Sequence, residues 1–223
     1  MRYGMVIDLD RCVGCNACTV ACKAENGTPP GIFWQRMLLT ERGRYPFARL
    51  EATPLPCMHC EEAACVKVCP TGASSKRKDG LVLIDADKCI GCRYCMVACP
   101  YGARSFNSGA RPYYPGKGLT PYEKVRYQEH PAGKVEKCTL CSQRVDKKEE
   151  PACVATCIAK ARFFGDLDDP NSEVSQLIAR KGGYQLLPEK GTKPQVYYVG
   201  GGKRRWIRRE LAKASSAAQV SLS

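Results

Sequence analysis

The amino-acid sequence predicts an α+β fold built from two intertwined, pseudo-equivalent modules, one inserted into the other, with irregular loops and an extended C-terminal tail. The first observation behind this is the placing of the cysteines. All sixteen fall in four groups of four: Cys12-x2-Cys15-x2-Cys18-x3-Cys22, Cys57-x2-Cys60-x4-Cys65-x3-Cys69, Cys89-x2-Cys92-x2-Cys95-x3-Cys99 and Cys138-x2-Cys141-x11-Cys153-x3-Cys157. The second is an internal repeat, Cys69-Pro70-Thr71-Gly72-Ala73 and Cys99-Pro100-Tyr101-Gly102-Ala103, offset by 30 residues. The third is the order of local signals, in which strand, cysteine loop, short helix and strand recur.

Taken along the chain, Tyr3 to Asp8 has the β-branched and apolar character of a strand leading into the first cysteine group. Thr19 to Glu25 reads as a short helix ended by Asn26-Gly27. Gly31 to Pro56 carries Phe33, Trp34, Met37, Leu38, Leu39, Tyr45 and Phe47, which suit either strands covering the cysteine loops or a partner-facing surface. Ala73–Lys76 and Leu81–Ile84 flank Lys78-Asp79-Gly80, an Asp-Gly hairpin signal. Ser108 to Lys137 is rich in Pro, Gly and Tyr and reads as an irregular inserted loop. Asp169-Pro170 can supply an N-cap and first residue for a helix through about Arg180. Val196–Val199 is a late strand. The basic stretch Lys203–Lys213 sets Ile207, Leu211 and Ala214 on one helical face, as a docking helix or a solvated tail, and Ser215–Ser223 has little to order it.

The cysteine spacing decides the chemistry. A disulfide scaffold is permitted by an even count, but a chain of 223 residues does not require stapling. Zinc sites rarely carry a third cysteine at x2 followed by Cys-Pro. Three closely spaced cysteines with a fourth one helical turn further on is the bacterial ferredoxin arrangement. Four such groups with no cysteine left over predict four [4Fe–4S] clusters, and the two modules become ferredoxin-like βαββαβ units.

Short spacings let one loop supply three thiolates, while the fourth cysteine of a run reaches the neighbouring cube. Applied reciprocally, Cys12, Cys15 and Cys18 take Cys157, and Cys138, Cys141 and Cys153 take Cys22. In the same way Cys57, Cys60 and Cys65 take Cys99, and Cys89, Cys92 and Cys95 take Cys69. The inner module is then 54–108, and the outer module joins 1–53 to 134–200, with 109–133 inserted and 201–223 a basic tail. Lys23 and Ile158 stand where the inner groups have proline, which shapes the turn and donates no ligand. His59, inside Cys57-Met58-His59-Cys60, reads as a packing or hydrogen-bonding neighbour, and His130 has no visible constellation. Lys137 and Arg144 flank the fourth group, as charges that raise a cluster potential or as ordinary solvated residues.

The formal net charge of +13 would by itself suggest nucleic acid or an anionic surface. Four thiolate-ligated clusters, each about 2− in total, bring +13 down to about +5. No aromatic–basic motif or zinc-finger spacing accompanies the charge, so nucleic acid is not an expected partner. No apolar run approaches the roughly 20 residues of a membrane helix. MRYGMVIDLDRC runs straight into the first group, leaving no room for a signal peptide. Membrane contact is therefore expected to be indirect or through the basic tail. No radical-type Cys-x3-Cys-x2-Cys run, dinucleotide fingerprint or nucleophile–base pairing stands out, so no catalytic residue is expected.

The four groups in this order resemble the four-cluster iron–sulfur subunits of molybdopterin oxidoreductases. The segments MRYGMVIDLDRCVGCNACTVACKAEN and CMHCEEAACVKVCPTGA are most similar to the polysulfide and respiratory arsenate reductase branch. KCIGCRYCMVACPYGAR, VEKCTLCSQRV, FFGDLDDPNSEV and LPEKGTKPQVYYV extend the likeness over nearly residues 1–200. The resemblance implies a non-catalytic subunit that links a molybdenum or tungsten catalytic chain to a membrane quinone-reactive chain, in anaerobic respiration. It implies the cluster of Cys12, Cys15, Cys18 and Cys157 nearest the catalytic chain, then that of Cys22, then that of Cys99, with that of Cys69 at the membrane end. It further implies export with the catalytic partner to the extracytoplasmic face, a cytoplasmic complex being the other possibility. The competing class is a polyferredoxin-like subunit of a hydrogenase or formate dehydrogenase complex.

Overall fold

The computed structural model describes residues 1–109 and 111–201, so the expected helix from Lys203 and the serine-rich end lie outside the described residues. In chain order the first half comprises β1 (Tyr3–Asp8), α1 (Ala17–Asn26), β2 (Arg36–Arg42), β3 (Arg49–Leu55), α2 (Ala64–Lys67), β4 (Ser74–Lys76), β5 (Val82–Ile84), α3 (Tyr94–Val97) and β6 (Ser105–Asn107). The second half comprises α4 (Pro121–Arg126), β7 (Lys134–Glu136), α5 (Ser142–Val145), α6 (Ala152–Ala155), β8 (Arg162–Asp166), α7 (Glu173–Lys181) and β9 (Val196–Val199). The elements are short and mixed, as an α+β chain organised by its cysteine loops requires.

β1 is the central strand of a three-stranded sheet, antiparallel to β8 and parallel to β9. A strand covered on both faces carries a continuous apolar run rather than an alternating one. Met5, Val6 and Ile7 are accordingly all fully buried. Met5 and Ile7 face the main core with Leu81, Tyr101 and Tyr198, while Val6 packs with Val174, Leu177 and Val199 beneath α7. Residues near the start of the chain are thus locked between segments from its far end.

The helices are mostly single turns that follow a cysteine loop, and α2, α3 and α6 each carry a cysteine. The longer α1 begins at Ala17, ahead of the expected Thr19, because Asn16 takes the left-handed turn that starts it (φ 60°). Gly27 ends it as expected, its left-handed N–H bonding Lys23 O at 2.8 Å. β4 and β5 form the expected hairpin, closed by Arg77 N to Leu81 O at 2.8 Å. For α7 the cap differs from expectation. Asp169 instead makes a turn of its own, accepting from Asn171 N at 2.9 Å, and Ser172 caps the helix by accepting from Ser175 N.

The Ser108–Lys137 stretch is not irregular throughout. Thr120-Pro121-Tyr122-Glu123 is a capping box, in which Thr120 Oγ1 accepts from Glu123 N and Glu123 Oε2 accepts from Thr120 N at 2.6 Å. Pro121 occupies the first helical position, where its missing N–H costs nothing. β7 then pairs antiparallel with β6 and returns the chain to the fourth cysteine group. The β2–β3 hairpin bears out the reading of Gly31–Pro56 as covering strands. Trp34, Met37 and Leu38 pack on the main core, while Tyr45 and Phe47 near its tip are 94% and 85% exposed. Among the described residues no helix is long and apolar enough to cross a membrane.

Candidate iron–sulfur centres

All sixteen cysteines are free thiols, and the fold gathers them in a pattern that crosses the sequence groups. One cavity is lined by Cys12, Cys15, Cys18 and Cys157, with Ile7, Met37, Pro54 and Arg162. Another is lined by Cys69, Cys89, Cys92 and Cys95, with Ile84, Val135 and Arg104. Cys22 is surrounded by Cys138, Cys153 and Cys141, which add their repulsion to the burial that pushes its thiol up. Burial likewise raises Cys60, followed by Cys57 and, more weakly, by Cys99 and Cys65. The fourth cysteine of each run therefore lies with three cysteines of another group.

The four sets are also neighbours in series. Cys18 of the first set lies close enough to Cys153 of the Cys22 set to oppose its ionisation. Cys57 does the same to Cys138, and Cys65 to Cys95. Cys15 and Cys92, at the two ends of this series, are the two exposed cysteines of the chain.

Backbone and side-chain donors point at the sulfurs. Leu140 N lies 3.4 Å from Cys138 Sγ, Ser74 N 3.4 Å from Cys69 Sγ and Ala161 N 3.3 Å from Cys157 Sγ. Asn26 Nδ2 reaches Cys22 Sγ at 3.6 Å from one turn further along α1. Cys69 is partly desolvated, yet the N–H of Ser74 and the hydroxyl of Thr71 bring its thiol below the usual value. At Cys141 and Cys138 desolvation wins, and burial pushes the first thiol up to about 11 and the second to about 12. Such thiols ionise at neutral pH when a metal supplies the counter-charge.

These residues fit an iron–sulfur group. Arg162 Nη2 and Arg104 Nη2 are buried without a hydrogen-bond partner, and each belongs to a side chain lining a cavity ringed by four cysteines. Each thus has a donor to spare for sulfur. Among the described residues no three His, Cys, Asp or Glu side chains converge as donors round one ion would. Thiolates that hold the corners of a cube stand further apart than that.

His59 is fully buried, and its Nδ1 accepts the N–H of Val82 at 3.0 Å. Burial, then the charge of Lys137, keeps the imidazole well below its usual pKa, consistent with a neutral hydrogen-bonding neighbour. Arg144 pairs with Glu25 and Glu149 at the surface, whereas Lys137 is buried. His130 carries a constellation that its sequence context did not announce. Its Nδ1 meets Glu136 at 2.8 Å and its Nε2 meets Asn26 O at 2.7 Å. Both partners only accept, so both ring nitrogens donate and the imidazole is charged. Trp34 Nε1 and Asn107 Nδ2 also donate to Glu136. The roles of Arg104 and Arg162 were equally hidden, although Cys-x4-Arg recurs after Cys99 and Cys157.

Comparison with known proteins agrees with this chemistry. Two family models, both described as 4Fe-4S dicluster domains, match the chain, one over residues 48–114 and 110–167 and the other over 11–73. The arsenate respiratory reductase iron–sulfur subunit ArrB of Shewanella sp. (strain ANA-3) is 45% identical over 89% of this chain and 96% of that one. The B subunit of selenate reductase from Mesobacillus selenatarsenatis is 46% identical over 89% of this chain and 72% of its own length. The B subunit of sulfite dehydrogenase from Allochromatium vinosum is 44% identical over 92% and 85%. With its sixteen free thiols, its dicluster domains and these relatives, the chain belongs to the family of iron–sulfur electron-transfer subunits of the arsenate, selenate, sulfite and tetrathionate oxidoreductases.

Proposed function

We propose that this subunit holds four [4Fe–4S] clusters in single file and conducts electrons between a molybdenum or tungsten catalytic chain and a membrane quinone-reactive chain. The first cluster takes Cys12, Cys15, Cys18 and Cys157, and the second Cys138, Cys141, Cys153 and Cys22. The third takes Cys57, Cys60, Cys65 and Cys99, and the fourth Cys89, Cys92, Cys95 and Cys69. The observation that carries this reading is the serial order of the four thiol sets, each near enough to the next to oppose its ionisation, with an exposed cysteine at each end. When bound, each cluster supplies a one-electron couple.

The protein's own part is to hold thiolates at fixed separations, to exclude water from the middle of the series and to leave its ends open. The interlocked-module organisation is supported by α1 packing on α6 and α2 on α3, which join the first group to the fourth and the second to the third. Val13, Val20 and Ile158 are exposed around the first set, and Ile90, Tyr94 and Val97 around the fourth. We assign the first end to the catalytic chain and the second to the quinone-reactive chain. We place the complex on the extracytoplasmic face, carried there with its catalytic partner.

The experiment is anaerobic purification of the native complex, with identification of its chains and metals and fractionation of the cell. About 16 iron atoms per chain are expected, with a large molybdopterin partner in the extracytoplasmic fraction. A count far below this overturns the four-cluster reading. A nickel–iron partner overturns the assignment of the complex, and cytoplasmic recovery overturns its placement.

A further inference from the structure

Among the described residues only three lysine or arginine side chains are buried: Arg104 at 5% exposure, Lys137 at 2% and Arg162 at 4%. Among the described residues none of the three pairs with a carboxylate. Arg162 Nη1 touches Cys153 Sγ at 3.5 Å and Met5 Sδ at 3.4 Å. Arg104 Nη1 donates to Ser74 Oγ at 2.8 Å. Lys137 Nζ donates to the carbonyls of Cys138, at 2.8 Å, and of Val82. A buried cation without a counter-charge is strongly destabilising, so the compensating charge must come from sulfur.

Their positions are not random with respect to the thiol sets. Arg162 lines the cavity of the first set and touches a cysteine of the second. Arg104 lines the cavity of the fourth set, and its charge is also felt by Cys65 and Cys57 of the third. Lys137 adjoins Cys138 of the second set and acts on His59, which lies between Cys57 and Cys60 of the third. Each of the three gaps in the series therefore has one cation. The arginines occupy matching places, as Cys99-Pro-Tyr-Gly-Ala-Arg104 and Cys157-Ile-Ala-Lys-Ala-Arg162.

We propose that Arg162, Lys137 and Arg104 are gap cations, one between each pair of successive clusters, that raise the potentials of the two clusters they flank. This rests on the four-cluster reading above. Two anionic cofactors side by side repel, and an electron added to one makes addition to the next less favourable. A cation between them acts on both at once in a low-dielectric interior, where charge is poorly screened. Lys137 can serve only as a point charge, since its ammonium is held by carbonyls. The arginines can also donate the free Nη2 to sulfur.

The test is potentiometric EPR titration of the anaerobic native complex, with iron counted in the same samples. In Arg104→Gln the third and fourth clusters should fall in potential by about 59 mV or more, which is tenfold in a one-electron equilibrium. The first and second should stay in place, and Arg104→Lys should recover most of the shift. Arg162→Gln should lower the first and second instead, and Lys137→Met the second and third. With iron intact, unmoved flanking clusters or a common shift of all four overturns the proposal. Should a glutamine variant shed iron, loss confined to the flanking pair and restored by the lysine variant supports it, and unrestored loss overturns it. Failure of the underlying reading is recognised separately, as too little iron or fewer than four cluster signals in the unmodified complex.

Discussion

At Gly91 the backbone has φ +71°, a left-handed conformation between Cys89 and Cys92. A Cβ there would run into the carbonyl oxygen of Gly133 and come within 3.3 Å of the Phe106 ring. Backbone cannot swing aside as a side-chain tip can, so Gly91→Ala must displace either its own loop or the turn before β7. Gly72 supplies the comparison, with φ +67° and nothing within 4 Å of where a Cβ would stand. Gly72→Ala should cost only the left-handed strain, about 1–2 kcal/mol, and keep its iron. Gly91→Ala should lose the iron of one site, about 4 of about 16 atoms, by iron count and EPR. Equal iron in the two variants would show that the loop yields. Nothing local in the sequence tells the two glycines apart, since only the fold sets Gly133 against one of them. That packing is a long-range contact with no local signature.

The His130 network operates at the level of elements, since it ties the end of α1 to the β6–β7 pair through Asn26, Glu136 and Asn107. Burial pulls the imidazole pKa down, but Glu136 and the carbonyl of Asn26 outweigh it and the net shift is upward. A raised folded pKa gives a contribution complete below the unfolded value of about 6.5 and lost as pH rises through the folded value. Thermal unfolding of the anaerobic cluster-loaded protein should therefore show this contribution at pH 6 and a smaller one at pH 9. His130→Gln should remove that difference and destabilise the protein at pH 6 by on the order of 3 kcal/mol, since Glu136 is left buried without its cation. An unchanged pH difference in the variant would rule His130 out as its source. Local elements were readable where local chemistry sets them: β1, β9, the β4–β5 hairpin and the Gly27 cap lie where the sequence indicates. The capping box at Thr120–Glu123 was readable too, but the surrounding Pro and Gly obscured it. His130 was not, because its partners come from three separate stretches of chain.

At the scale of the whole molecule, the cysteine grouping was legible because cluster ligation imposes spacing on the sequence itself. The gap cations were not legible, since nothing in Cys-x4-Arg distinguishes an arginine turned inward from one in solvent. Cys22 tests the long-range part of the organisation. It belongs by sequence to the first group, yet it sits among Cys138, Cys141 and Cys153, held there by α1 packing on α6. In Cys22→Ala the centre held by residues from the far end of the chain should be the one that fails. Low-temperature EPR of the anaerobic complex should show the second signal lost or converted, with iron reduced by about 1 to 4 atoms. The signal of Cys12, Cys15, Cys18 and Cys157 should persist, because none of its ligands is touched. If that first signal is the one disturbed, each run closes its own cube and the two modules are not joined by exchanged cysteines. If the second is disturbed alone, one residue near the start of the chain completes a centre built near its end. The series then depends on the folding of both halves together, and neither half could be loaded with its full set of clusters by itself.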